Sequence, residues 1–287
     1  MIMLVTDAVK AFLKYLEAQN KSGETVAGYG KDLRIFNQYL EEQYNGLVYI
    51  DEITENDLED YICFLKEVRK LKPSSQNRYF SSIRSFFNYA TRKKLLKQNI
   101  AQNVENVRYQ RKEREYLSKE ELEDLFDVIE HPIIKVAIIT MAYTGIRVGE
   151  LTKLTPDRVD LEKQLIKVLG KGNKERTIPI SEKLLPILID YAENIRFEEA
   201  RHFFGTKKTG RLSAQYINNS LRLASKKIGL KQSISAHILR HSFATVLVHN
   251  DVNIVDLQRL LGHNSIRTTS IYLHTNHERL KEAVNSW

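Results

Sequence analysis

The chain has 287 residues, which at roughly 100–200 residues per domain favours two domains or one large one. Apolar residues make up 42% and charged residues 28%, which excludes disorder, collagen and low complexity as the main state. The net charge of +8 suits a polyanionic partner, and the single cysteine, Cys63, excludes an internal disulfide and a cysteine-based zinc site.

The opening stretch reaches Asp7 after only a few apolar residues, too soon for a signal peptide. No uninterrupted apolar run approaches the ~18 residues of a membrane span, so the expected location is cytoplasmic. Thr6 is the expected cap of a first helix, with Val9, Phe12, Leu13 and Leu16 at helical spacing. Val26, Tyr29, Leu33, Phe36 and Leu40 repeat that pattern after a KSGE turn. Thr54 opens a third helix bearing Leu58, Tyr61, Ile62 and Leu65. LKPSSQ breaks the chain, and Tyr79, Ile83, Phe86, Phe87 and Ala90 form the stripe of a fourth. Residues 1–107 therefore read as a bundle of four helices with short connections.

Residues 108–116 read as a linker, because they are dense in charge and lack an apolar period. Ser118 followed by Glu121 is a capping-box pattern, and it opens a second domain over 117–287. The first 107 residues are almost neutral, with 15 basic against 14 acidic side chains, so the second domain holds nearly all the excess charge. The first still has two basic clusters, Lys66–Arg69–Lys70–Lys72 and Arg92–Lys93–Lys94–Lys97, near helix ends. From these and the linker, Lys70, Lys72, Arg92, Lys93, Arg108 and Arg111 are candidate phosphate contacts; the competing reading is solubilising helix-end charge.

In the second domain, Leu165–Leu169 and Thr177–Ile180 are apolar-rich and β-branched, and GKGN lies between them. They read as a β-hairpin, with LTPDRVDLEK as a possible third strand. Helices resume after Ser181, Ser213, Ser235, Asn253 and Ser265, each a plausible N-cap. The fold class is mainly α with a small β-hairpin or three-stranded sheet.

Four segments of this domain carry chemistry. AYTGIRVGEL places Arg147 after a glycine turn at a helix start, and LGKGNKER places Lys171 on the hairpin tip. SAHILRHSF puts His237, Arg240 and His241 on one helix face, and LGHNSIRTTSIYLH supplies His263 and Tyr272. Such a set fits attack on a phosphodiester. Guanidinium forks onto two phosphate oxygens, lysine can protonate a leaving oxygen, histidine moves protons near neutral pH, and tyrosine can form a covalent intermediate. His237 and His241 at i and i+4 could instead share a metal with His263, but Arg240 between them would repel a cation and the glutamate of HExxH is absent.

The order of these segments resembles the tyrosine recombinase family, also called phage-integrase-type site-specific recombinases, and most closely its Xer-type members. The matching stretches are TGIRVGEL, GKGNKERTIPI, HILRHSFAT and LLGHNSIRTTSIYLH, with Tyr272 nine residues after His263. The resemblance implies a two-domain DNA clamp, a helical core-DNA-binding domain joined to a catalytic domain. It implies that Arg147 and Arg240 clamp the phosphate, that Lys171 protonates the 5′-oxygen leaving group, and that His237 assists proton movement at the nucleophile. His263 would donate a hydrogen bond to the phosphate and Tyr272 would be the nucleophile of a 3′-phosphotyrosyl intermediate. Glu150 would orient an active-site arginine or histidine, and His241 would be a structural neighbour.

No cofactor is expected: the chain has no phosphate-binding glycine motif and no conspicuous carboxylate cluster for paired metals. Expected partners are double-stranded DNA with paired recombination sites and further copies of the chain: a homotetramer on DNA, a monomer or weak dimer when free. A partner recombinase or accessory protein and a nucleoid-associated location fit as well. Leu280, Ala283, Val284 and Trp287 make an apolar stripe on a short C-terminal helix, the expected connector between protomers. The short chain favours resolution of chromosome or plasmid dimers; an integrase or resolvase of a mobile element, a type IB topoisomerase and a DNA-binding regulator without chemistry are the alternatives.

Overall fold

The computed structural model describes residues 3–110, 116–170, 174–262 and 269. The chain divides into two compact units, Met1–Lys112 and Glu113–Trp287. Among the described residues, no helix is long and apolar enough to cross a membrane.

The first unit holds helices α1 (Val5–Ala18), α2 (Gly23–Tyr44), α3 (Glu55–Glu67) and α4 (Pro73–Arg92). Local signals set most of their ends. The Ser22 hydroxyl accepts from the Thr25 N–H at 3.3 Å at the start of α2. Thr54 and Asp57 close a capping box on α3, and Pro73 begins α4, where its missing N–H costs nothing. The start of α1 differs from the sequence expectation: the N-cap is Leu4, with no side-chain cap, and Thr6 lies within the first turn. Chain pairing fixes this end instead. Leu4 bridges Tyr49, with Val5 N donating to Val48 O at 3.0 Å and Ile50 N to Met3 O at 2.9 Å.

The four helices bury an aromatic core that includes Phe12, Phe36, Tyr61, Phe80, Phe86 and Phe87. The predicted stripe of α4 is all inward. Within this core Asp32 of α2 is 2% exposed and takes two bonds from Arg78, at 2.7 and 3.0 Å, and one from Ser82, at 2.7 Å, so the buried charge is paired. The segment after α4 is pinned back onto that helix. Asn77 exchanges two bonds of 2.9 Å with the backbone of Val107, and Arg84 donates to the carbonyls of Ala101 and Val104.

In the second unit α5 (Lys119–Asp127) starts on the capping box of Ser118 and Glu121. Next comes α6 (Pro132–Thr144), apolar almost all round and buried, then the short α7 (Val148–Leu151). Strands β1 (Val159–Asp160), β2 (Leu165–Leu169) and β3 (Glu175–Pro179) make an antiparallel three-stranded sheet in the order β1-β2-β3. The LTPDRVDLEK stretch contributes only the two residues of β1 to it. β3 starts two residues before the predicted Thr177, because Leu169 pairs with Glu175 and the Gly170 N–H reaches Lys174 O at 2.8 Å.

Helices α8 (Leu185–Asp190), α9 (Ala214–Lys227), α10 (Ala236–His249) and α11 (Ile254–Leu261) follow, with a π-helical turn, Tyr191–Ile195, extending α8. Ser213 and Asn253 cap α9 and α11 through their side chains. Ser235 occupies the N-cap of α10 without a side-chain bond. Ser181 does not cap α8, which begins four residues later; its carbonyl accepts from Leu184 and Leu185 N–H, each at 2.9 Å, in a preceding turn. Ser265 lies outside the described residues. The core of this unit joins α6, the inner face of the sheet, α9 and Leu239 of α10, and a smaller cluster of Ala244, Val248, Leu257 and Leu261 packs α10 on α11.

Candidate active site

Helix α6 ends at Gly145, which adopts the left-handed conformation at φ +61°. A Cβ there would lie 2.4 Å from Phe243 Cδ1 of α10, so the close approach of the two elements needs glycine as much as the dihedral does. Two residues later Arg147 stands at the N-cap of α7. Its backbone N–H donates to Glu150 Oε2 at 3.0 Å and its Nη1 to Oε1 at 2.8 Å. The Arg147 side chain is 38% exposed, whereas that of Glu150 is 8% exposed.

Arg240, on α10, is buried and donates Nη1 to Gly145 O at 2.7 Å and Nη2 to Leu261 O at 2.6 Å. The turn that positions Arg147 thus also receives Arg240. Arg147 Nη2 reaches Gly262 O at 3.1 Å, so both guanidiniums meet at the C-terminal end of α11. Carbonyls at a helix end have no intrahelical partner and carry partial negative charge, which suits cationic donors.

A third arginine, Arg176 on β3, joins them and was not singled out from the sequence. Its Nη1 and Nη2 fork onto Glu150 at 2.9 and 2.8 Å, and its Nε donates to Leu260 O at 2.8 Å. Three consecutive carbonyls, those of Leu260, Leu261 and Gly262, therefore each accept from a different arginine. Burial pushes the Glu150 carboxyl upward in pKa, but the hydrogen bonds and charge of Arg176, then those of Arg147, outweigh it and hold the group below its ordinary value. Glu150 is accordingly a carboxylate between two cations.

His237 lies one turn before Arg240 on α10 and is exposed, while His241 follows Arg240 and is half-buried. Lys171, His263 and Tyr272 lie outside the described residues, as do Arg111 and the C-terminal stripe. The structure thus brings together Arg147, Glu150 and Arg240, beside Gly262, the residue before His263.

The candidate DNA contacts of the first unit fall at the two ends of α4. Lys70 and Lys72 are exposed in the α3–α4 connection, and Arg92 and Lys93 are exposed at the C-terminus, their cations 4.6 and 5.8 Å from the Tyr15 ring centre. A helix of 20 residues separates the two clusters by about 30 Å. Arg108 is exposed and pairs with Glu105 at 3.3 Å.

Comparison with known proteins places this arrangement. A model of the phage integrase family matches residues 115–279, and a model of the phage integrase N-terminal SAM-like domain matches residues 9–94. The chain belongs to the phage integrase family of tyrosine recombinases. It is 33% identical to tyrosine recombinase XerC of Natranaerobius thermophilus, with 96% of each chain covered. It is 30% identical to tyrosine recombinase XerD of Shewanella oneidensis, covering 96% of this chain and 94% of that one.

Among solved structures, XerH site-specific recombinase bound to a difH substrate superposes with a TM-score of 0.69 at 25% identity, covering 96% of this chain and 83% of that one. The integrase of transposon Tn1549 in complex with transposon right end DNA matches the fold at a TM-score of 0.81 and 20% identity, over 99% of both chains. The recombinase is therefore of the Xer type, a DNA-binding protein of site-specific recombination with two family domains, mainly α with a small antiparallel sheet.

Proposed function

We propose that this recombinase cleaves and rejoins DNA strands through a 3′-phosphotyrosyl intermediate, with Arg147 and Arg240 as the phosphate clamp. The convergence of these two guanidiniums on the Gly145 turn and the end of α11 carries the reading. It gathers permanent positive charge beside the point where the chain runs on to His263 and Tyr272. Phosphoryl transfer needs charge stabilisation at the equatorial oxygens, an oriented nucleophile and a protonated leaving group. The Tyr272 hydroxyl oxygen attacks phosphorus, a bond forms between them, and the bond from phosphorus to the 5′-oxygen breaks. Lys171 gives its proton to that departing oxygen; His237 assists removal of the tyrosine proton, and His263 donates to a phosphate oxygen. Covalent attachment preserves the energy of the broken bond, and the 5′-hydroxyl of another strand attacks the phosphotyrosine to reseal it.

No metal ion or nucleotide enters this scheme, because arginine charge does the work at the phosphate. Both domains, 1–107 and 117–287 with linker 108–116, contact duplex DNA. Basic clusters about 30 Å apart, flanking α4, match the scale of one DNA turn, ~34 Å. Four protomers act on two paired sites, and the similarity to Xer recombinases supports resolution of chromosome or plasmid dimers in association with the nucleoid. A nicked substrate that traps cleavage tests the core of the reading on a denaturing gel. Wild type should form a covalent adduct in excess chelator, and Tyr272→Phe should bind DNA but form none. An adduct persisting in Tyr272→Phe, or one that needs added metal, would refute the mechanism.

A further inference from the structure

We propose that Arg176 is a positioning residue that leaves the charge of Arg147 uncompensated towards the scissile phosphate; this rests on the reading of Arg147 as part of the phosphate clamp. Arg147 and Glu150 alone would make a neutral ion pair, and a phosphate would have to compete with the carboxylate for the guanidinium. Arg176 changes that balance. Its fork occupies both carboxylate oxygens, at 2.9 and 2.8 Å, so two positive charges share one negative charge. Arg176 is 10% exposed and Arg147 38%, so the surplus charge is presented to an incoming anion through Arg147.

The fork also fixes the carboxylate plane, and with it the two bonds that Glu150 accepts from Arg147. A second contact ties the same residue to the end of α11. Arg176 Nε holds Leu260 O at 2.8 Å, and Gly262 lies flat on the guanidinium: a Cβ there, at φ +62°, would come within 3.0 Å of Arg176 Cδ and Nη1. One side chain thus links strand β3, Glu150 of α7 and the end of α11 before His263. Each of the three Arg176 nitrogens donates to a partner within the protein, and its proposed action is exerted through Glu150 on Arg147.

The test measures single-turnover cleavage at saturating enzyme on nicked DNA, with either an ordinary scissile phosphate or a methylphosphonate, which lacks the negative charge. Wild type, Arg147→Ala, Arg176→Met and Arg176→Lys are compared, with melting and half-site binding checking the fold of each. Arg176→Met should slow cleavage of ordinary DNA by about ten- to a hundredfold, the scale of an outer partner of a reacting group. Arg176→Lys, which keeps the charge and loses the fork, should fall between Met and wild type, and it carries the test if the Met variant does not fold. On methylphosphonate DNA the defects of both should largely vanish, as that of Arg147→Ala should. Equal defects on the two substrates would show that Arg176 only holds the fold and would overturn the proposal. A defect of Arg147→Ala that is also equal on both substrates would instead remove Arg147 from the clamp, and the proposal with it.

Discussion

Gly145→Ala probes the turn on which both arginines of the proposed phosphate clamp depend. Alanine in the left-handed region costs ~1–2 kcal/mol. The added Cβ would meet Phe243 Cδ1 at 2.4 Å and Leu261 Cδ2 at 3.1 Å, and overpacking of that kind costs ~1–3 kcal/mol. The sum is a loss of ~2–5 kcal/mol, or about 4–20 °C in melting temperature for a unit of this size. Gly229→Ala is the matched control, since Gly229 has φ +74° but nothing within 4 Å of its Cβ position, so only the dihedral cost remains. Thermal melting of the two variants separates packing from backbone strain. Gly145→Ala should melt clearly lower than Gly229→Ala. It should also cleave DNA more slowly at 25 °C, because displacing the Gly145 carbonyl moves Arg240, bonded to it at 2.7 Å. Equal melting temperatures would refute the claim that α6 and α10 approach closely only through glycine.

Glu150 titrates below its ordinary range, so its charge stabilises the fold above the unfolded carboxylate pKa, and that stability is lost as pH falls through the lower folded value. Glu150→Gln should therefore flatten the acid limb of the melting-temperature profile; an unchanged limb would remove Glu150 from acid lability. Lys171→Ala should slow cleavage by ~10²–10⁴-fold, the scale of general acid catalysis, and a sulfur in place of the 5′-bridging oxygen, which leaves without a proton, should rescue it. Equal defects on both substrates would exclude Lys171 as the acid. Deleting residues 278–287 should spare binding to a single half-site but abolish cooperative occupancy and strand exchange; recombination at the wild-type rate would show that the tail is not the connector.

Much of the fold was legible because its signals are local. Thr54 with Asp57 and Ser118 with Glu121 announce their helices, and the α4 stripe from Tyr79 to Ala90 names its own buried face. Where the cause is distant in sequence, local reading fails. The start of α1 is set by pairing with Val48–Ile50, more than forty residues on, so the capping residue Thr6 was misleading. Ser181 misled although its contacts are local: its backbone carbonyl, not its hydroxyl, organises the turn before α8. In the site, Arg147 and Arg240 stood out by motif, but their meeting at the end of α11 is a tertiary fact. Arg176 was hidden among the charged residues of KGNKER. The signal that could have found it is strand alternation: Arg176 shares its face with the buried Ile178 and Ile180, an inward position where an arginine must have a partner.

Peptide mapping of the trapped complex decides whether Tyr272 carries the DNA 3′-phosphate. After nuclease and protease digestion, mass spectrometry should find a single nucleotide-bearing peptide, modified at Tyr272 and linked through a 3′-phosphate. Attachment at another residue would exclude Tyr272 as the nucleophile, and a 5′-phosphate linkage would exclude the 3′-phosphotyrosyl intermediate.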